Sequence, residues 1–226
     1  MENNHIMRKY LLFDLDGTLT DPKEGITRSA AYALARFGIE ADPDSLTDFI
    51  GPPLLDSYEK YFHIKGEDGV RAVQLYRERF SVKGLYENKV YPGIPEQLAA
   101  LKEAGYHLAV ATSKPELFAL QILEHFNLAG YFETIAGGEM DEAKCTKSYV
   151  IGKTLARLGI DRAGARDLAL MIGDREHDVL GAAEYGIPCL GAGYGYGRPG
   201  ELIAAGAAAV ADTPEELSVM IGRLCC

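Results

Sequence analysis

Two aspartates spaced i, i+2 stand directly after a short apolar run: Tyr10-Leu11-Leu12-Phe13 leads into Asp14-Leu15-Asp16-Gly17-Thr18. Alternate residues of an extended strand end point the same way, so Asp14 and Asp16 can aim both carboxylates into one crevice. Two like charges held that close cost electrostatic energy unless a cation, a lysine or hydrogen bonds offset it, and this is the arrangement expected of a catalytic site. Asp and Gly are also ordinary turn residues, so the string decides little until the rest of the chain is read.

Other strand-like runs end in equally suggestive residues. His107 to Ala111 is followed by Thr112-Ser113-Lys114, where a hydroxyl and backbone amides at a helix entrance can hold a phosphate oxygen. Leu168 to Ile172 is followed by Gly173-Asp174-Arg175-Glu176-His177-Asp178, a carboxylate-rich turn that opens a helix. Acidic residues at two strand ends and a hydroxyl at a third make an oxygen-donor site for a hard cation. Magnesium suits it, because no His or Cys cage is offered to a softer metal. An Asp carboxylate can accept a phosphoryl group if positive charge is spread over the site, and Lys144 or Lys147 would supply that charge. His177 reads as a solvated helix-face residue.

These residues need a parallel sheet to bring them together. The apolar runs Tyr10 to Phe13, His107 to Ala111, Leu168 to Ile172 and Ile187 to Leu190 alternate with helical patterns at Glu96 to Ala104, Glu116 to Phe126, Ser148 to Leu158 and Pro214 to Leu224. Strands apolar on both faces imply helices on both sides, hence an α/β, Rossmann-like sandwich whose ligand crevice lies at the carboxyl ends of the strands. The pattern breaks between the first strand and Glu96, where Glu24 to Phe37, Leu54 to Tyr61 and Asp68 to Val82 carry helical spacing. The expectation is a core of residues 1–20 and 92–226 with an inserted all-α helical-bundle cap at 21–91, hinged at Thr20-Asp21-Pro22 and Val90-Tyr91-Pro92-Gly93 and hanging over the site as a lid. Gly191-Ala192-Gly193-Tyr194-Gly195-Tyr196-Gly197 lacks the dinucleotide-binding spacing and reads as a flexible active-site loop.

Composition narrows the partners. The chain has 226 residues, 47% hydrophobic and 25% charged, with a net charge of −10. That balance offers no electrostatic footprint for nucleic acid or an anionic membrane and favours a small-molecule substrate. Cys145, Cys189, Cys225 and Cys226 show no metal-binding spacing, Met1 to Met7 is polar, and no apolar stretch reaches membrane-spanning length. A cytoplasmic protein with reduced thiols is expected, as a monomer or a homodimer.

In this order, Asp14-Leu15-Asp16-Gly17-Thr18, Thr112, a lysine before the third core helix, and Gly173-Asp174 with Asp178 resemble the haloacid dehalogenase superfamily, in its branch with a helical cap after the first motif. Ala111-Thr112-Ser113-Lys114-Pro115-Glu116 and Thr146-Lys147 look most like phosphoglycolate phosphatases and 5'-nucleotidase-like phosphatases. The resemblance implies that Asp14 attacks phosphorus and that Asp16 protonates the leaving alcohol and then activates water. Thr112 and Lys147 would hold phosphate oxygens, with Gly17, Thr18, Ser113, Lys114 and Gly173 supporting them. The Asp14 carboxylate, the Asp16 carbonyl and Asp174 would ligate Mg2+, with Asp178 orienting the shell and pairing with the lysine. Many relatives carry Lys-Pro before this helix and this chain does not; Lys147 is preferred because it opens the helix, with Lys144 as fallback. Gly51-Pro52-Pro53 resembles the cap loop lowered onto substrate. The implied activity is hydrolysis of a small phosphorylated metabolite. A phosphomutase of the β-phosphoglucomutase type shares every one of these residues. A dehalogenase would need neither Asp16 as acid nor the cation shell, and an inactive binding module would not need the full set.

Overall fold

The computed structural model describes residues 8–140 and 144–225; Met1 to Met7 and Cys226 lie outside it. A six-stranded sheet forms the centre, in the order β5-β4-β1-β6-β7-β8 and parallel throughout. Its strands are β1 (Tyr10–Phe13), β4 (His107–Pro115), β5 (Thr134–Gly138), β6 (Ala169–Gly173), β7 (Cys189–Ala192) and β8 (Ala209–Ala211). Between β1 and β4 come a two-residue strand β2 (Thr20–Asp21), helices α1 (Lys23–Ala35), α2 (Leu54–Phe62) and α3 (Gly66–Arg79), a second two-residue strand β3 (Lys89–Val90), and α4 (Ile94–Glu103). The remaining helices are α5 (Glu116–His125), α6 (Lys147–Arg157), α7 (Arg162–Leu168), α8 (Glu176–Ala183), α9 (Glu201–Ala205) and α10 (Leu217–Cys225).

The apolar runs form strands because both sheet faces are covered. Leu11 and Phe13 pack into one cluster with α4, α5 and α10, whereas Leu12 packs with Val150, Ile151 and Val179 of α6 and α8 on the other side; all three β1 residues are fully buried. The first cluster runs on without a break into Phe49, Tyr58, Tyr76 and Phe80 of the inserted helices. Burial of these rings in a cluster shared with Leu11 and Phe13 favours packing of the insert against the sheet.

Register then sets the site. Phe13 lies opposite Val110 on one side and Ile172 on the other, so β1, β4 and β6 end level, and the Asp14 amide donates to the Ile172 carbonyl at 2.9 Å. Three segments left the sheet interior at one height, which is why Asp14, Thr112 and Asp174 meet.

Several sequence expectations shift. Ile187 to Leu190 is displaced to β7 at Cys189–Ala192, because Pro188 has no amide to donate to the ladder. Leu168 ends the helix α7 rather than beginning β6. The sequence reading had no counterpart for α7, β5 or β8. Thr112-Ser113-Lys114 continues β4 to Pro115, with a register shift after Thr112, and the helix starts only at Glu116. No helix among the described residues is long and apolar enough to cross a membrane.

Candidate active site

Four aspartates converge at the carboxyl ends of β1 and β6, all buried: Asp14 4%, Asp16 8%, Asp174 0% and Asp178 1% exposed. Carboxylate oxygens of Asp14, Asp174 and Asp178 lie within 4.8 Å of one another. Lys147, the first residue of α6, threads between two of them: its Nζ is 2.8 Å from Asp14 Oδ1, 2.8 Å from Asp178 Oδ1, and donates to the Ala111 carbonyl at 3.2 Å. Its place follows from local structure, since the Thr146 side chain accepts from the Tyr149 amide and so fixes where the helix opens. Lys144, the fallback, is instead half-exposed and pairs with Glu139 at 3.4 Å.

Asp178 is held from both sides. Oδ1 faces Lys147, and Oδ2 accepts the Arg175 amide at 3.1 Å, closing the first turn of α8. Asp174 Oδ2 accepts the Tyr196 amide at 2.7 Å, while its Oδ1 is buried with no partner. Gly17, at φ +80°, lies so close that a Cβ there would sit 2.1 Å from Asp174 Oδ2, and a Cβ on Gly195 would be 2.3 Å from the Asp174 Cβ. Only glycine lets both backbones approach the carboxylate this closely.

The Gly191 to Gly197 segment, expected to be a flexible loop, is tied down instead. Besides the Tyr196 amide, the Tyr194 hydroxyl donates to the Thr18 carbonyl at 2.9 Å and the Tyr196 hydroxyl donates to Asp21 Oδ1. The Tyr194 ring packs edge-on against Tyr91 at 5.1 Å. Both hydroxyls find partners at or just before β2, so the loop joins Asp174 to the point where the chain enters the inserted helices. The sequence reading missed this role; tyrosines alternating with glycines after a strand were the available signal.

Lys114, expected near phosphate, pairs with Asp16 Oδ2 at 2.6 Å, and its ammonium lies 4.7 Å from the Phe80 ring centre. Thr112 is buried, and its hydroxyl accepts the Lys114 amide at 3.3 Å. Thr18 is buried too. Ser113, Lys114, Gly51, Pro52 and Pro53 line a cavity of about 70 Å³ beyond Asp16, to which Phe49, Tyr76, Phe80 and Phe118 contribute rings and Arg77 and Glu139 charged side chains. His177 is exposed on α8.

Burial dominates the protonation of these groups. It pushes the Asp16 carboxyl up, against the pull of Lys114. Burial, reinforced by Asp178 and Asp14, raises Asp174 well above the ordinary range. Asp178 is pushed up to about 6 by burial, with Lys147 opposing. Burial would lower Lys147, but Asp14 and Asp178 outweigh it and keep the ammonium charged. Four carboxylates therefore face two ammonium groups, Lys147 and Lys114, a deficit of two positive charges when all are ionised. The partnerless Asp174 Oδ1 and this deficit both fit a divalent cation with oxygen ligands, and Asp14 and Asp174 are placed to hold it.

A parallel sheet with carboxylates at its central strand ends and helices inserted after the first of them defines a class of hydrolase. The sequence profile of haloacid dehalogenase-like hydrolases matches residues 11–192, and the chain belongs to that family. It is 50% identical over 193 residues to a 5'-nucleotidase of Pseudomonas aeruginosa, covering 85% of this chain and 86% of that protein. It is 40% identical over 189 residues to the tyrosine-protein kinase PtkA of Mycobacterium tuberculosis, covering 83% of this chain but 63% of that protein. Identity to a phosphoglycolate phosphatase of Aquifex aeolicus is 33% over 189 residues, covering 83% and 86%. Among solved structures, a predicted phosphatase from Clostridium acetobutylicum superimposes with a TM-score of 0.92 at 46% identity, covering 96% of this chain and 99% of that one.

Proposed function

We propose that the chain is a magnesium-dependent phosphatase of small phosphate monoesters that works through an aspartyl-phosphate on Asp14, beneath a cap formed by residues 21–91. The observation that carries the reading is Lys147 between Asp14 and Asp178 at 2.8 Å from each. Such a lysine sets positive charge between the two carboxylates, and an arriving phosphate oxygen can replace the Ala111 carbonyl as its third acceptor.

The chemistry follows from the residues. An Asp14 carboxylate oxygen forms the bond to phosphorus while the ester oxygen leaves, taking its proton from Asp16, whose raised proton affinity suits it to be an acid. Water then attacks phosphorus and gives a proton to Asp16, and the Asp14–phosphorus bond breaks to release inorganic phosphate. Thr112 and Lys147 steady the phosphate oxygens. Magnesium, held by Asp14, the Asp16 carbonyl and Asp174, with Asp178 bracing the set, would neutralise the transferred group. The names 5'-nucleotidase and phosphoglycolate phosphatase among the relatives support a small phosphate ester as substrate. The kinase name of another relative brings a second acceptor, a protein tyrosine; the burial of Asp14 and Asp16 favours a metabolite over a protein chain.

The test is phosphate release from a metabolite panel with and without magnesium, alongside Asp14→Asn. Hydrolysis by Asp14→Asn at the wild-type rate, or activity untouched by EDTA, refutes the reading. Isomerisation of β-glucose 1-phosphate without phosphate release would make the enzyme a mutase.

A further inference from the structure

Between the two carboxylates Asp174 and Asp178 lies a side chain that the chemistry above does not use. Arg175 is 8% exposed and turns away from the carboxylates. Its Nη1 donates to the Ile50 carbonyl at 2.7 Å, in the segment before α2, and its Nε donates to Glu201 Oε1 at 2.9 Å. Glu201 is committed to the same corner: it also accepts the amides of Glu176 at 2.9 Å and Arg198 at 3.0 Å. Gly51 packs on the guanidinium stem, where a Cβ would lie 3.2 Å from Arg175 Cγ. A second arginine repeats the link at the surface, Arg198 to Asp48 at 3.0 Å.

We propose that Arg175 is a positioning residue for this reaction, clamping the Gly51-Pro52-Pro53 loop of the cap onto the loop that carries Asp174 and Asp178. The proposal rests on the phosphatase reading. A planar guanidinium can serve a carboxylate and a carbonyl at once, in fixed directions, which an ammonium cannot. Arg175 is paired with Glu201 at 2.9 Å and touches none of the aspartate carboxylates with its side chain, so its main commitment lies toward the cap. It spends its second donor on a backbone carbonyl whose position sets the roof of the cavity. Pro52 and Pro53 stiffen that roof, so holding Ile50 and Gly51 holds the loop.

The experiment uses the full chain in millimolar magnesium. Arg175→Ala, Arg175→Lys and, from the cap side, Gly51→Ala are compared with wild type. The readouts are amide exchange at Ile50, Gly51 or its replacement, and Leu54; KM and kcat for p-nitrophenyl phosphate; and the magnesium concentration that gives half the maximal rate. Arg175→Ala is expected to speed exchange at these amides and to raise KM, each by about tenfold, the worth of one buried charge-assisted hydrogen bond. Its kcat should fall less, and half-saturating magnesium should not move. Arg175→Lys, unable to reach both acceptors, should fall between, and Gly51→Ala, at φ +104° and pressing on the Arg175 stem from the cap side, should raise KM with half-saturating magnesium unchanged. Unchanged exchange at Ile50 in the arginine variants overturns the clamp, as does an effect confined to the magnesium requirement, which would mark a mere disturbance of Asp174. Should Arg175→Ala not fold, the other two variants decide. Exchange is read without turnover, so an inactive wild type would refute the phosphatase reading while the clamp is still judged on its own.

Discussion

Around Asp14, four carboxylates and two ammonium groups are packed into a space almost closed to water, whereas the cavity beyond Asp16 is walled by Phe49, Tyr76, Phe80 and Phe118. The first region is held in place against its own repulsion by the sheet register, the α6 cap and the amides of Arg175 and Tyr196. The second depends less on such directed bonds, because its four rings cohere through burial, while Asp16, Lys114, Arg77 and Glu139 bring charge to its lining. Geometry is therefore specified atom by atom where charge is concentrated, and only by volume and shape where it is not. On the proposed reading, reaction type belongs to the first region and choice of ester to the second, so substitutions on the two sides should separate.

The largest separation is expected from Asp14→Asn, which should lower phosphate release by about 10⁴-fold or more. It also removes one of four crowded charges, so the cation-free protein should melt no lower than wild type. A fall in melting temperature would mean that the cluster coheres without its cation. Phe80→Ala acts from the other side. Cavity formation should cost about 3–5 kcal/mol in denaturant unfolding and raise KM through the loosened wall, while half-saturating magnesium is unchanged.

Protons bound within the carboxylate cluster should oppose the cation proposed to bind there. The Asp178 pKa of about 6 exceeds that of an unfolded aspartate, so the folded chain binds more protons between about pH 4 and 6, and stability of the cation-free protein falls as pH rises through that window. Magnesium should reverse this. It should raise the melting temperature by about 4 °C or more at pH 7.5 and by less than about half that at pH 5, as scanning calorimetry would show. An equal shift at both values would place the cation away from Asp178 and its neighbours. The smallest effect belongs to His177→Gln on the exposed face of α8, which should leave kcat/KM within about twofold of wild type.

How much of this was legible in the sequence differs between the two regions. β1 and the placement of Asp14, Asp16, Thr112 and Asp174 could be read because a fully buried strand writes itself as a continuous apolar run and the chemistry follows its last residue. Lys147 was separable from Lys144 by its place at the helix opening. β5, Thr134-Ile135-Ala136-Gly137-Gly138, and β8, Ala209-Val210-Ala211, were not legible, since short strands rich in glycine and alanine carry too little apolar signal to stand out from a loop. Lys114 pairing with Asp16, Arg175 reaching Ile50 and the tyrosines reaching the hinge are long-range contacts that no local pattern encodes.

The strands β2 and β3 are only two residues each, paired antiparallel as Thr20 to Val90 and Asp21 to Lys89. The outgoing and returning chains thus cross into the insert side by side, at one point of the architecture. The height at which β1, β4 and β6 end is set by the register within the sheet, to which the residues between β2 and β3 contribute no ladder bond. Such a scaffold lets a lineage retune what it hydrolyses while inheriting unchanged the machinery that does the hydrolysing.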